Sequence, residues 1–500
     1  MTGSTPGTGP GESTIVDHDL VIIGAGLSGI DAAYRFTEND PDLRYVVLDR
    51  RERIGGTWDL FRYPGIRSDS DIYTLSFPFE PWRRPEALAQ GAHIREYIDD
   101  TAHKYGIADH IRFGRDVERA EWDSATGRWT VTARVGSDGT TEIHRCRFVY
   151  FATGYYDQDH PFTPSFVGLG DFRGTVVHPQ QWPDDLDYDG RRVVVIGSGA
   201  TAVSMIPDLA HSAAHVTMLQ RSPSYIYSSK QKEYFAPVVR RVLPESAAHR
   251  VVRARYAVQT AALVHAIHRF PRFGRKLLRA NITGLLPEGY PIDVHFSPAY
   301  NPWDERMCMV PDGDLFAAIS DGSVEVVTDH IDRFDDSGIL LGSGRHLDAD
   351  LVVTATGMDL LTFGGIRIVI DDAEIDPRDR FAYRGHLLED VPNLAWSVGY
   401  TNASWTLRAD MSARAAAKLF HHMRSAGIDR AYPHLRDDSM PSKPLWDLRS
   451  GYVRRRPDAF PKSGTRRPWN VRHNYFADAV DDRRSDRTDS MVFVRSDSPR

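Results

Sequence analysis

Cysteine is almost absent: the 500-residue chain has two, Cys146 and Cys308, far apart and without a partner spacing. That excludes a disulfide framework and a cysteine-ligated metal, so no metal site is expected, and it fits a reducing compartment. Long apolar runs are missing too. No stretch approaches the roughly 18 uncharged apolar residues of a membrane-spanning helix, and the first residues, MTGSTPGTGPGEST, lack the basic start and apolar segment of a secretion signal. Residues 1 to about 15 read as a disordered extension, and the chain reads as cytoplasmic with no transmembrane segment. Neither charge sign dominates: 61 Lys and Arg against 68 Asp and Glu leave a formal charge of -7, with the signs mixed. Such a chain has no field suited to wrapping nucleic acid. One local basic run, Arg454 to Arg456, reads as solvated surface, with a nucleotide phosphate contact as the alternative. Oligomeric state leaves no mark.

What is present is a 41% apolar, 26% charged chain, long enough to bury a large core and divide into two or three domains. Residues 18 to 36 read as strand, tight turn and helix (HDLVII, GAGLSG, IDAAYRF), and RYVVLD supplies the next strand. The same grammar returns over 191 to 222, with RRVVVI, GSGATA and HVTMLQRS. FVYFATG (148–154) and DLVVTATG (350–357) are a further pair of strands with matching ends. They suggest that the chain leaves its first domain after about residue 155 and returns near residue 340. The expected fold is α/β, with two Rossmann-like dinucleotide-binding domains, the second inserted within the first. Its parts are a first domain over 16–155 and 341–440, and an inserted domain over 156–340 with a helical insertion at about 225–290. A C-terminal tail, 441–500, lies over the body. Within the insertion, RYAVQTAALVHAIHRF reads as an amphipathic helix packed on the domains, or alternatively as a membrane-surface or substrate-channel helix.

In the first turn Gly24 permits a tight bend, Gly26 lets backbone approach a pyrophosphate, and Gly29 allows close packing of helix on strand. The pyrophosphate would meet free N–H groups at the helix start. Asp49, twenty residues after Gly29, can accept hydrogen bonds from a ribose diol and would repel a 2'-phosphate, which selects FAD or NAD. In the second turn, Gly197, Gly199 and Ala202 hold the equivalent places, and no acid ends the next strand; Arg221 and Ser222 stand there and suit a 2'-phosphate. NADPH is the expected ligand, with NADH as the alternative. Two dinucleotide sites in one chain allow hydride transfer from nicotinamide to flavin, and the lack of a cysteine pair turns the reduced flavin toward oxygen.

Phe172 to Pro183, FRGTVVHPQQWP, matches the fingerprint FxGxxxHxxxWP. With both turns and both ATG strands in order, the chain closely resembles the class B flavoprotein monooxygenases, Baeyer-Villiger type, from about residue 17 to 475. Further matches are Gly55-Gly56-Thr57-Trp58, Tyr63 to Asp69 (YPGIRSD), Asn301 to Arg306 (NPWDER) and Gly399 to Thr406 (GYTNASWT). The last places the chain nearest the mycobacterial thioamide-activating subgroup. The resemblance implies that Gly56, Thr57, Trp58, Asp69 and Thr406 contact FAD. It also implies that NADPH reduces the flavin and that a C4a-peroxyflavin, formed with molecular oxygen, attacks a small organic substrate. Arg306 would stabilise the developing anion and Asp69, or Asp71 two residues on, would orient it. His178 and Trp182 would sit at the linker between domains. Glu305 departs from the lysine that many of these enzymes use toward the 2'-phosphate, so NADPH preference rests on Arg221 and Ser222. The expected reaction turns a ketone into an ester or lactone. N- or S-oxygenation of amines, sulfides or thiocarbonyl compounds, and flavin reduction without an oxygenated product, are the alternatives.

Overall fold

The computed structural model describes residues 15–136, 139–305, 307–446, 448, 450–484 and 488–495. Residues 1–14, most of the expected N-terminal extension, and Arg306 lie outside them. Ile15 already belongs to a strand, Ile15–Asp17, paired in parallel with Ile143–Arg145.

The first unit begins with strand β1 (Leu20–Ile23), helix α1 (Leu27–Asn39) and strand β2 (Tyr45–Leu48). All four residues of each strand are buried, the pattern of a parallel strand covered on both faces. Strand β3 (Phe148–Phe151) pairs with β1 on its other side. The chain then crosses into a second unit through Tyr156–Pro161. There it forms β4 (Thr175–Val177), β5 (Arg192–Ile196), α2 (Ala200–Leu209) and β6 (His215–Gln220). Three helices follow, α3 (Phe235–Val242), α4 (Glu245–Arg269) and α5 (Pro271–Thr283), then α6 (Asp314–Ser320), β7 (Val324–Thr328) and β8 (Leu351–Val353). The second sheet runs β4-β8-β5-β6-β7, parallel throughout.

This register corrects the expected return near residue 340. Val352 lies opposite both Val176 and Val194, so DLVVTATG is a central strand of the second sheet. The chain goes back after Gly357, through Met358–Leu360, which pairs antiparallel with Tyr156–Pro161 as a two-stranded ribbon. A buried parallel strand is apolar on both faces, so its sequence does not say which sheet it joins. Back in the first unit, β9 (Leu394–Trp396) pairs with β3, and helix α7 (Trp405–Ala426) packs along α1. A meander over Arg115–Asp123, Arg128–Val135 and Thr140–Cys146 covers the opposite face and buries Trp122 and Trp129.

The helical layer α3 to α5 reaches back to the first unit. Buried Arg253 donates to the carbonyls of Tyr73, Thr74 and Ser76 at 3.0, 3.0 and 2.6 Å, and the Tyr73 and Tyr256 rings stack. The C-terminal segment is more built-in than a laid-over tail. It contributes helix α8 (Gly451–Arg455), a strand Met491–Val494 paired with Arg430–Pro433, and the buried side chains Trp446, Phe460 and Trp469. Among the described residues no helix is long and apolar enough to cross a membrane.

Candidate active site

Both glycine turns open into one cleft of about 1580 Å³ between the two units. Gly24 has φ +108°, and a Cβ there would collide with the Ala152 carbonyl. A Cβ on Gly29 would strike the Gly24 carbonyl, while Gly26 faces the Cα of Gly56 across a gap with little room for one. The start of α1 carries no side-chain cap, so its first N–H groups are left for a ligand. Asp49 is buried at the end of β2 and accepts hydrogen bonds from the amides of Ala25 (2.6 Å) and Arg51 (2.8 Å). Burial pushes its carboxyl pKa up, against the pull of those two amides. This cradle fits the diphosphate and ribose of FAD.

The second turn repeats the arrangement. Gly197 (φ +143°) sits against the Ala355 carbonyl as Gly24 does against Ala152, so each ATG strand backs its own turn. A Cβ on Gly199 would meet nothing within 4 Å: it would point into open cleft, where a pyrophosphate needs the room. Ala202 is fully buried in the core beneath. Arg221 and Ser222 are exposed on the cleft rim, where Ser198 Oγ donates to the Ser222 carbonyl at 3.1 Å. Glu305 lines the same rim; burial raises its carboxyl pKa, while the nearby charges of Arg454 and Arg221 oppose the rise. Arg454 is thus a second cation at this end of the cleft. Its neighbour Arg455 is not the solvated charge the sequence suggested: its guanidinium lies 3.4 Å from the Phe162 ring centroid and donates to the Met358 carbonyl at 2.9 Å.

Between the two turns runs the YPGIRSD segment. Gly65 abuts the Ser204 carbonyl of α2, and Arg67 binds Asp314 of α6 (2.5 Å). The segment therefore ties the first unit to the second. Asp69 lines the cleft, as do Gly56, Thr57 and Trp58. Asp71 lines it too, but its carboxylate caps the short helix Ile72–Leu75, accepting from Thr74 N (2.7 Å) and Thr74 Oγ1 (2.6 Å). Thr406 is not brought to the cleft by its side chain: it is fully buried and its hydroxyl donates to the Leu75 carbonyl. Tyr400 to Trp405 line the cleft instead, and Trp405 donates to Ser28 Oγ (2.8 Å) while stacking on Tyr155.

His178 stands at the root of the crossing ribbon. Its Nδ1 accepts from the Gln180 amide (3.1 Å), which leaves Nε2–H to donate to the Gly357 carbonyl (3.1 Å). Gln180 donates in turn to the Asp157 carbonyl (2.8 Å), so the fingerprint holds both strands of the ribbon. Burial lowers the His178 pKa, favouring this neutral tautomer. Trp182 packs into the core of the second unit, edge to face with Tyr188. Sequence reasoning missed Arg67 and Asp314, and it gave Arg454 a phosphate contact only as the alternative to solvated surface. Arg67 lay inside a segment read for Asp69 alone, whereas Asp314 carries no local signal of what it faces.

Known proteins share this fold. The profile described as flavin-binding monooxygenase-like matches residues 17–243. The FAD-containing monooxygenase EthA of Mycobacterium tuberculosis is 48% identical over 461 residues, 92% of this chain and 94% of that protein. Among solved structures, a steroid monooxygenase bound to NADP superposes with a TM-score of 0.74 at 21% identity, covering 96% of this chain and all 100% of that one. Cyclohexanone monooxygenase from Rhodococcus sp. Phi1, bound to NADP+, gives 0.74 at 18% identity, covering 97% and 100%. With two dinucleotide turns on one cleft and close likeness to EthA over nearly its whole length, the chain belongs to the flavin-binding monooxygenase-like family.

Proposed function

We propose that the chain is an NADPH- and oxygen-dependent monooxygenase that inserts one oxygen atom into a ketone, giving an ester or lactone. The observation that carries this reading is the single cleft shared by both glycine turns, which lets two dinucleotides meet. Bound at the first turn, FAD would supply the redox chemistry that links NADPH to molecular oxygen. The N–H groups of α1 would hold its diphosphate and Asp49 its ribose. The start of α2 beside Gly199 would hold the NADPH diphosphate, with Arg221 and Ser222 toward the 2'-phosphate and Arg454 as a further cation. Arg306 stabilises the negative charge that develops during transfer and Asp69 orients it. His178, neutral and bonded to Gly357, acts as a linker residue coupling the two units, with Trp182 anchoring the second. A neighbour of the same fold named for cyclohexanone, a ketone, is consistent with a carbonyl substrate.

The test is Arg306→Ala. The variant is expected to purify with FAD and to be reduced by NADPH, while ester formation falls on the order of 10²- to 10³-fold. Normal product formation would remove Arg306 from the mechanism. A second reading is oxygen transfer to the nitrogen or sulfur of amines, sulfides or thiocarbonyl compounds. It is favoured by the Gly399–Thr406 segment, which resembles the thioamide-activating subgroup and supplies Tyr400 to Trp405 to the cleft wall. A soft heteroatom needs no stabilised oxyanion of its own, so under this reading Arg306→Ala loses less activity on sulfides than on ketones.

A further inference from the structure

The segment 235–283 carries ten Lys and Arg against one acid, Glu245, within a chain whose formal charge is -7. It folds as the layer α3, α4 and α5, each helix packed on the next. Helix α5 presents Gly274, Leu278 and Ile282 to the interior, while the adjoining stripe leaves Phe273 (58% exposed) and Leu277 in solvent. Arg272, Arg275, Lys276 and Arg279 flank that stripe. The preceding Phe270 is 57% exposed, and on α3 Val238 and Val242, one turn apart, are 55% and 77% exposed. Val251 and Val258 continue the exposed apolar set on α4. Arg241, Arg250, Arg272 and Lys276 make no ion pair among the described residues, although Arg279 is held by Asp293 and Arg255 by Glu233. Isolated exposed apolar residues are ordinary, but apolar stripes framed by unpaired cations are the signature of helices that lie in a lipid interface.

We infer that the face formed by α3, α4 and α5 docks on an anionic lipid bilayer. Charge selects this occupant. A second copy meeting the same face across a two-fold axis would set two strongly cationic surfaces against each other, whereas anionic headgroups neutralise the arginines and the acyl boundary takes the Phe and Val side chains. The location adds a consequence. The other face of α4 places Arg255, Tyr256, Gln259, Thr260 and Leu263 on the wall of the cleft. A lipophilic molecule held in the bilayer thus has one helix between it and the cofactors.

The experiment uses the full chain loaded with FAD and measures co-sedimentation with vesicles of phosphatidylcholine alone and of phosphatidylcholine with about a third phosphatidylglycerol. Binding to the anionic vesicles is expected to exceed binding to the neutral ones by at least about tenfold, and to weaken as salt screens the headgroups. Each cation near an anionic surface contributes roughly fivefold to partitioning. The double variant Arg272→Glu with Lys276→Glu is therefore expected to bind the anionic vesicles at least about 25-fold more weakly. Phe273→Ser with Leu277→Ser should also weaken binding. Both variants keep the wild-type FAD content, thermal midpoint and NADPH oxidation rate, which separates lost docking from lost folding. Equal binding to both vesicle types, or variants that bind as the wild type does, overturns the inference. So does a lipid-free dimer in sedimentation velocity that the same substitutions dissolve, because that result assigns the face to a second copy.

Discussion

Gly29, the third glycine of the first turn, and Gly199, the second of the other turn, differ in the space around them. A methyl on Gly29 would enter the Gly24 carbonyl, and the turn has no flexible side chain there that could give way. Gly29→Ala is therefore expected to cost roughly 3 kcal/mol or to abolish the FAD-loaded protein, read by flavin content and thermal unfolding. Gly199 has ordinary backbone angles and an open approach, so Gly199→Ala should leave the thermal midpoint unchanged. Its methyl would stand in the room that the proposed second pyrophosphate needs, raising KM for NADPH about tenfold, a loss of about 1.4 kcal/mol. Equal effects of the two substitutions on stability would show that the second turn is not a nucleotide cradle. At this scale the sequence was largely legible, because tight turns demand glycine for steric reasons that leave a fixed spacing. Thr406 was not: residues around it line the cleft, but a helix aims each side chain about 100° from the last, and Thr406 points at Leu75.

Elements were legible where apolar period and glycine agreed, as for β1 with α1 and β5 with α2, and illegible where tertiary pairing decides. The second ATG strand belongs to the inserted unit because of its neighbours Val176 and Val194, which local sequence cannot specify. The alternation over 115–146 marks a meander that the nucleotide motifs overshadowed. The same limit hid the tie between units, Arg67 to Asp314, whose partners are 247 residues apart. Both are mostly shielded, with side chains 10% and 29% exposed, so the pair lies between a buried and a surface ion pair. Asp314→Asn is expected to cost about 2 kcal/mol in unfolding and to raise KM for NADPH, since it loosens the segment that spans the cleft. Breaking the exposed pair Arg345–Glu325 should leave both unchanged. If Asp314→Asn alters neither quantity, YPGIRSD does not couple the units.

The molecule as a whole carries buried neutral histidines that set its acid limit. His249 of α4 is 3% exposed, faces the Phe77 carbonyl at 2.9 Å, and has its pKa lowered from 6.5 to about 4, chiefly by burial. His473 is likewise lowered to about 4 by burial. A depressed folded-state pKa means that the unfolded chain binds the proton first. Stability is complete above the unfolded value near 6.5 and is lost as pH falls toward 4, by roughly 3 kcal/mol for His249. His249→Gln should make the thermal midpoint fall less steeply across that window, and an unchanged slope would remove His249 from the acid response. The central claim concerns oxygen, and the direct measurement is turnover with NADPH under ¹⁸O₂ on a panel of ketones and sulfides, with mass spectrometry of the product and assay of peroxide. One ¹⁸O atom is expected in an ester, lactone or sulfoxide for each NADPH consumed. NADPH oxidation that returns all the oxygen as hydrogen peroxide, across the whole panel, would contradict it and leave a flavin reductase.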